Sequence, residues 1–326
     1  MRALVTGGAG FIGSNLVRLL IERGHHVVVL DNLSSGHKRN LHMFPMVQFI
    51  EGSICDQRAV AEAINKVEVI FHLAASVGNA RSLSDPFADS ETNLLGTLRI
   101  LEAARHNHVR KVVVSSSAAI FGELKTLPIR EDHQLEPETP YGVSKLAEEK
   151  MSLAYSKLYG FEVACLRYFN VYGVNQRYDA YGNVIPIFVH RSLQDQPMVI
   201  FGDGEQTRDF INVRDVARAN LAVAEKTGAA GAFNLAGGTS ITINKLAEMI
   251  RLESGPNARI EYGPLRRGDV RDSLADISAA RAAFGFQPTV HLAEGLKEYV
   301  QWVRQELTVF QEKSVAASGE GATANR

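Results

Sequence analysis

"VTGGAGFIG" (5–13) decides the fold, because it joins a strand pattern to a helix pattern through closely spaced glycines. Gly7, Gly10 and Gly13 have the spacing G-x-x-G-x-x-G, which is typical of a dinucleotide-binding turn. The first glycine permits the tight turn, the second lets the backbone approach a pyrophosphate, and the third lets helix and strand pack closely. The N-terminus of the following helix then faces the phosphates with unpaired N–H groups.

Strand patterns alternate with helix patterns through the first half of the chain. Strands are predicted at 2–6, 26–31, 47–52, 67–75, 111–117 and 161–169, and helices at 11–24, 56–65, 88–107 and 141–159. Continuous Val and Ile runs between helices favour an α/β fold with a doubly wound parallel (Rossmann) sheet. Asp31 ends the second strand, where a carboxylate accepts hydrogen bonds from the adenosine ribose, and it favours NAD over NADP.

The regular alternation of strand and helix patterns ends near residue 170. After it, Gly, Asn and Pro become frequent and short strands mix with helices. We therefore predict an NAD-binding domain at 1–170 and a smaller C-terminal α/β region at 171–310 that binds the substrate and is interleaved with the first. The small polar residues near the end predict a flexible tail at 311–326.

Composition excludes several classes of protein. The 326 residues suffice for a sizeable core, and Lys+Arg (35) balances Asp+Glu (36), so nothing suggests a nucleic-acid partner. No apolar run approaches the roughly 20 residues of a membrane span. The chain enters a strand at once, so we expect no signal peptide. The two cysteines lack metal spacing, and we expect a cytoplasmic protein without a metal site.

Two segments carry the candidate chemistry. "KVVVSSSAAIFG" (111–122) ends a strand with three serines, and "YGVSK" (141–145) puts Tyr141 and Lys145 on the same helical face. An ammonium and a cationic nicotinamide can lower the pKa of a tyrosine from about 10, so that the phenol acts as a base.

Together with the glycine turn, these segments resemble the extended short-chain dehydrogenase/reductase family, of the NAD-dependent epimerase/dehydratase type. The resemblance covers about residues 1–310. It implies that Tyr141 is the catalytic acid and base, that Lys145 tunes it and holds the nicotinamide ribose, and that Ser117 completes the catalytic set. Ser115 would support the cofactor.

The two alanines that follow the serines narrow the reaction. Dehydratases of this family carry Asp-Glu at the positions of Ala118 and Ala119, and uronate decarboxylases tend to carry Glu at the second. "SSSAAIFG" is most similar to the UDP-glucose 4-epimerases, although Phe121 replaces their usual Tyr. The resemblance implies C4 epimerisation of a UDP-hexose through a 4-keto intermediate, on UDP-glucose and UDP-galactose and also on their N-acetyl forms.

Three alternatives stay open. One is a UDP-glucuronate 4-epimerase, and another is a net NAD-dependent oxidoreductase acting on a nucleotide sugar. The third is a non-catalytic NAD-binding sensor, although such proteins typically lose the Tyr–Lys pair that is intact here. His72, a single strand histidine, is expected to be structural.

The resemblance also implies two sets of contact residues. For NAD they are Gly7, Gly10, Phe11, Ile12, Gly13, Asp31, Asn32, Leu33, Ser34, Gly36, Ser53, Ile54, Leu73, Ala74, Ala75, Asn93, Ser115, Tyr141, Lys145, Tyr168 and Phe169. For the UDP-sugar they are Ser117, Asn170, Arg177, Asn183, Val199, Phe201, Arg208, Arg266, Asp269 and Ser273. Ser53 is a departure, because many relatives have an Asp there that contacts adenine.

Several of the substrate residues have specific expected tasks. Arg208 and Arg266 would neutralise the diphosphate, and Asp269 would accept from the uridine ribose. Ser273 falls where related epimerases border the C2 substituent of the hexose, and a small residue there leaves room for an N-acetyl group. Arg177 could instead hold a C6 carboxylate, which would favour the uronate alternative.

The helix patterns at 88–107 and 141–159 carry apolar residues such as Leu94 and Leu98 at helical spacing. Relatives pair these two helices across a two-fold axis, and we therefore predict a homodimer.

Overall fold

The computed structural model of the chain describes residues 1–178, 183–255, 257–265 and 270–320. Its strands are β1 (Arg2–Thr6), β2 (His26–Asp31), β3 (Gln48–Glu51), β4 (Val69–His72), β5 (Lys111–Ser117), β6 (Glu162–Tyr168), β7 (Asn170–Tyr172), β8 (Met198–Phe201), β9 (Thr207–Asn212), β10 (Gly231–Leu235), β11 (Ser240–Thr242) and β12 (Ile260–Gly263). Its helices are α1 (Phe11–Glu22), α2 (Gln57–Ala63), α3 (Asn79–Ser84), α4 (Pro86–Ser90), α5 (Thr97–His106), α6 (Pro140–Tyr159), α7 (Val184–Leu193), α8 (Val213–Glu225), α9 (Ile243–Ser254), α10 (Ser278–Phe284) and α11 (Leu292–Glu320), with 3₁₀ turns at Lys38–Leu41 and Ala118–Ile120 and a π-helical segment at Glu91–Gly96.

The main sheet has seven strands in the order β10-β6-β5-β4-β1-β2-β3, and every neighbouring pair is parallel. The predicted doubly wound parallel fold is confirmed. The order reverses between β1 and β4, and the crevice at the carboxyl ends of such strands is where α/β proteins bind ligands.

Helices cover both faces of this sheet. On one face, Leu16 and Leu20 of α1 and Val216 of α8 join the core. On the other face, the core includes Val60 of α2 and Leu101 of α5. Because both faces are buried, the strands are continuously apolar and show no alternation with polar residues.

The C-terminal half forms a smaller sheet of order β11-β9-β7, a parallel pair β12-β8 and a separate apolar cluster around Tyr172, Leu246 and Tyr299. It also sends β10 back to the main sheet, where Gly231–Leu235 pairs with residues 164–168 of β6. The chain therefore crosses between the two regions more than once.

Two expectations differ from the structure. The helix predicted at 88–107 is divided into α4, the π-helical segment and α5, and the π-helical segment carries the buried Asn93. The last helix continues to Glu320, so the part of the predicted flexible tail at 311–320 is helical, and 321–326 lie outside the described residues. In the described part of the chain, no helix combines the length and apolarity needed to cross a bilayer.

Candidate active site

The glycine turn forms a cradle that larger residues would fill. Gly7 has φ +69°, and a Cβ there would lie 2.8 Å from the backbone nitrogen of Ala74. A Cβ on Gly13 would lie 2.1 Å from the carbonyl oxygen of Gly7. Gly10 precedes α1 without any side-chain cap, which leaves the first N–H groups of Phe11 and Ile12 for an anion. The cradle therefore suits the pyrophosphate of a dinucleotide.

Asp31 organises the loop beside this cradle. Its Oδ2 accepts from the N–H of Ala9 at 2.9 Å, and its Oδ1 accepts from the N–H of Leu33 at 2.8 Å. Asn32 in turn accepts from the N–H of Ser34 at 3.1 Å. Each oxygen of a carboxylate can accept a second hydrogen bond, so Asp31 keeps capacity for ribose hydroxyls.

Gly36 and Gly96 allow close packing around Asp31 and Ile54. A Cβ on Gly36 would lie 3.0 Å from Oδ2 of Asp31. Ser53 accepts from the N–H of Cys55 at 3.1 Å, so its hydroxyl is engaged in a turn. Ile54 is buried, and a Cβ on Gly96 would approach its Cδ1 within 2.6 Å.

A buried hydrogen-bond chain fixes the end of β4. Thr97 Oγ1 donates to the carbonyl of Asn93 at 2.7 Å, so Nε2 of His72 donates to Thr97 (2.9 Å) and Nδ1 accepts from Thr6 (2.8 Å). Burial, with a smaller effect from the Lys145 ammonium, lowers the pKa of His72 to about 3. The histidine is therefore neutral and structural, as expected from the sequence.

Thr6 and Asn93 hold the segment that follows His72. The N–H groups of Leu73 and Ala74 donate to Thr6 Oγ1, each at 3.2 Å. Beyond Ala75, the Asn93 side chain pairs with both backbone groups of Ser76, at 2.8 and 3.0 Å. The backbone that lines the crevice opposite the glycine turn is thus fixed.

Tyr141, Lys145 and Ser117 come together as predicted, where α6 packs against the end of β5. The hydroxyl groups of Tyr141 and Ser117 lie close enough for Ser117 to act on the pKa of the phenol. Burial raises the pKa of Tyr141, while the Lys145 ammonium and the Ser117 hydroxyl oppose that rise. The phenol is therefore protonated in the protein alone, and a further positive charge beside it would favour the phenolate.

Lys145 is buried and remains a cation. Its Nζ lies 2.5 Å from Oε2 of Glu148, without the angles of a hydrogen bond. Burial lowers the pKa of Lys145, but Glu148 and Tyr141 together raise it above its ordinary value. Among the described residues, no hydrogen-bond acceptor satisfies Nζ, which leaves its N–H groups for the ribose hydroxyls of a dinucleotide.

The middle serine of the triple has a structural partner. Ser116 donates to Oε2 of Glu149 at 2.7 Å, and Glu149 accepts from Nε and Nη2 of Arg167 at 3.0 and 2.7 Å. Arg167 also lies over the ring of Phe121, at 5.2 Å from its centroid. This bidentate pair ties α6 to β6 beneath the catalytic residues. Ser115, the first serine, is also buried.

Tyr168 at the end of β6 and the following Phe169 were predicted cofactor contacts, and both side chains have partners within the protein. The hydroxyl of Tyr168 is engaged with the amide of Asn220 at 2.9 Å, on the face covered by α8. Phe169 packs against Phe121, with 6.2 Å between ring centroids. The Tyr168 hydroxyl is therefore not a cofactor contact, and only the ring and backbone of this residue stay candidates.

On the substrate side, Asp209 joins three segments. It accepts from the N–H groups of Gly237 at 2.7 Å, Gly238 at 3.2 Å and Ala275 at 3.2 Å. Asn170 donates to the Asp209 carbonyl at 3.0 Å. The buried Ser273 lies two residues before Ala275, so its position is fixed by the same carboxylate.

The other predicted substrate residues lie on the smaller sheets and helices. Asn183 precedes α7, while Val199 and Phe201 lie in β8. Arg208, in β9, donates to the carbonyls of Thr207 at 2.8 Å and Val270 at 2.7 Å. The predicted contacts Arg266 and Asp269 lie outside the described residues.

Arg177 interacts electrostatically with His37, Arg39 and Glu306. Burial lowers its pKa, with Arg39 acting in the same direction and Glu306 opposing, and Arg177 in turn lowers the pKa of His37. Arg39 forms an ion pair with Glu306. Arg177 therefore shares its electrostatic surroundings with His37 and Arg39.

The sequence reasoning missed the buried carboxylates under α6. Ser144 donates to Asp89 at 2.6 Å, and Asn93 donates to Asp89 at 3.2 Å. Glu148 and Glu149 are both buried. The signal was present, because these glutamates follow Lys145 by three and four residues and so share its helical face.

Comparisons with known proteins identify the relatives of this chain. The sequence profile of the NAD dependent epimerase/dehydratase family matches residues 3–236. A UDP-glucose 4-epimerase from Mycolicibacterium smegmatis is 39% identical over 311 residues, which are 94% of this chain and 99% of that protein. A UDP-glucose 4-epimerase from Thermotoga maritima, solved with UDP-glucose, has a TM-score of 0.88 and 39% identity over 94% of this chain and 100% of its own. A UDP-N-acetylglucosamine 4-epimerase from Methanobrevibacter ruminantium M1, solved with UDP-N-acetylmuramic acid, has a TM-score of 0.89 and 35% identity over 94% and 98%.

Proposed function

The chain belongs to the NAD dependent epimerase/dehydratase family, and we propose that it inverts C4 of a UDP-hexose. The observation that carries this proposal is the contact of Tyr141 with Ser117 beside Lys145, with Ala118 and Ala119 next to them. The alanines supply no carboxyl group for eliminating water or releasing CO₂. Proton and hydride transfer is the chemistry that remains.

Each catalytic side chain has a defined task. The Tyr141 phenolate takes the proton of the 4-hydroxyl group and later returns it, while Ser117 donates to the reacting oxygens. Lys145 holds the ribose and keeps a positive charge beside the phenolate. The chemistry that NAD supplies when bound is reversible acceptance of the C4 hydride, so no net oxidation results. The 4-keto sugar must then present its other face within the same site.

The cofactor and substrate contacts predicted from the sequence are retained in this proposal, and their positions in the fold support it. Most of the cofactor residues lie at or after the carboxyl ends of β1 to β6, along one edge of the parallel sheet, while Asn93, Tyr141 and Lys145 lie on the helical segments beside it. Among the described substrate residues, Asn170, Val199, Phe201 and Arg208 lie on β7, β8 and β9, and Ser273 lies in the segment after residue 270. This arrangement supports a sugar site between the two sets of residues, in which C4 would face Tyr141.

The sugar is UDP-glucose or UDP-galactose, and the N-acetyl forms are also substrates. Ser273 is small, and the backbone N–H of Ala275 anchors its segment to Asp209. The position of Arg177 beside His37 and Arg39 argues against a clamp on a C6 carboxylate. A neutral hexose is therefore favoured over a uronate.

A homodimer is part of the proposal. Leu95 of the π-helical segment and Val143 of α6 are large apolar residues about half exposed, and Phe87 of α4 is 86% exposed. Leu94 and Val143 line a shared shallow groove between these helices. A second copy of the chain would cover these residues by the pairing predicted from the sequence.

The test is to incubate the purified protein with UDP-glucose, UDP-GlcNAc and UDP-glucuronate and to resolve the products by NMR. We expect C4 epimers of the first two sugars and no accumulation of free NADH. Efficient conversion of UDP-glucuronate alone would replace this proposal by the uronate alternative, and stoichiometric NADH release would indicate an oxidoreductase.

A further inference from the structure

We infer that Glu148 is a positioning residue that holds Lys145 and sets the pH at which Tyr141 becomes a base. This inference deepens the proposed function and rests on it. Glu148 is buried on α6, one turn beyond Lys145, with its Oε2 at 2.5 Å from Nζ. Neither of its carboxylate oxygens has a hydrogen bond in the described part of the chain.

The other buried carboxylates nearby already have partners. Glu149 is paired with Arg167 and Ser116, and Asp89 accepts from Asn93 and Ser144. Lys145 is therefore the cation that balances Glu148. Asp89 has only neutral donors, so the carboxylate that the Lys145 ammonium faces directly is that of Glu148.

Groups from several elements act on this carboxyl. Burial raises the pKa of Glu148 to about 7, Lys145 opposes that rise, and Glu149 and Asp89 add to it. The charged and titratable groups around the pair are Tyr141, Lys145 and Glu149 on α6, Asp89 on α4, Cys165, Arg167 and Tyr168 on β6, and His72 on β4.

The sign of the effect on the tyrosine follows from the charge. Ionised Glu148 disfavours a second negative charge and raises the pKa of Tyr141. It also weakens the field by which the Lys145 ammonium favours the phenolate. While Lys145 keeps its proton, removing the charge of Glu148 therefore lowers the pH at which Tyr141 loses its own.

The experiment titrates tyrosinate absorbance in the NAD-bound protein, with Tyr141→Phe used to identify the Tyr141 contribution. In Glu148→Gln we expect the Tyr141 midpoint to fall by about 0.5–1 pH unit relative to the wild type. The apparent pKa on the acid side of the pH profile of kcat/KM for UDP-glucose should also fall. Glu102→Gln, on the neighbouring helix, is the matched control and should leave both unchanged.

Glu148→Ala removes the same charge but leaves a smaller side chain. The same titration of this variant tests the inference if Glu148→Gln does not fold. An unchanged or raised Tyr141 midpoint in the folded variants would overturn the inference. The absorbance titration needs no substrate. A wild type without epimerase activity but with the predicted shift would therefore contradict the proposed function and leave the role of Glu148 supported.

Discussion

At the scale of single residues, neighbouring side chains of one type have separate tasks. Ser116 donates to Glu149 and stabilises the fold, whereas Ser117 lies near Tyr141 and is proposed to take part in catalysis. Glu149 likewise holds Arg167, whereas Glu148 faces Lys145. Residue type alone therefore does not identify function at this site, and the partner of each group decides it.

Replacing Tyr141 by Phe removes the proposed proton acceptor and keeps the ring. General base contributions are typically 10²- to 10⁴-fold, so turnover of UDP-glucose should fall by about that factor with NAD still bound. Tyr155→Phe is the control, because Tyr155 lies on the same helix and its hydroxyl bonds to Glu102. Equal turnover in Tyr141→Phe and the wild type would remove Tyr141 from the mechanism.

Replacing Ser273 by Tyr should narrow the range of sugars. Overpacking a tight pocket typically costs about 1–3 kcal/mol, which is roughly a ten- to hundredfold discrimination. We expect kcat/KM to fall by that factor for UDP-GlcNAc, while UDP-glucose, the internal control, is much less affected. Parallel steady-state assays of the two sugars measure this ratio, and an unchanged ratio would place the C2 substituent elsewhere.

At the scale of elements, α6 connects the catalytic residues to the sheet through a buried ion pair. The Arg167 and Glu149 side chains are almost fully buried, with Nη2 and Oε1 2.7 Å apart. The pair lies two turns beyond Tyr141 along the helix. The stability of this pair and the geometry of the active site are thus linked.

Breaking this pair should be costly. Arg167→Met leaves Glu149 charged and buried without its cation, and we expect a loss of about 3–5 kcal/mol in the free energy of unfolding. Arg251→Met removes an exposed pair with Glu248 and should cost less than about 1 kcal/mol. Denaturant unfolding of both variants measures the difference, and similar losses would show that the buried pair has no special role.

Elements whose signal is local could be predicted from the sequence. Val and Ile runs predicted the strands of the first half, and the closely spaced glycines predicted the turn between β1 and α1. The division of 88–107 around a π-helical segment could not be predicted, because tertiary contacts such as that of Gly96 with Ile54 decide it. The i, i+3 spacing of Lys145 and Glu148 was a local signal for their pairing, but the burial of Glu148 could not be predicted, since a glutamate on a helix is usually solvated.

At the scale of the whole molecule, the exposed apolar residues of the π-helical segment and α6 predict self-association. Leu95→Asp should convert a dimer to a monomer, because it puts a charge into the contact. Leu252→Asp is the matched control, on a residue of α9 that is 75% exposed and distant in sequence. Light scattering at micromolar concentration gives the mass, and a monomeric wild type would contradict the predicted homodimer.

The return of β10 to the main sheet makes the first 170 residues dependent on the rest of the chain. A chain cut after residue 170 would lose the strand that pairs with Ala164–Tyr168 and would leave β6 as an open edge. Such a fragment should aggregate through that edge. Transplanting the dinucleotide-binding part alone into a fusion protein would therefore need a replacement strand to cover β6.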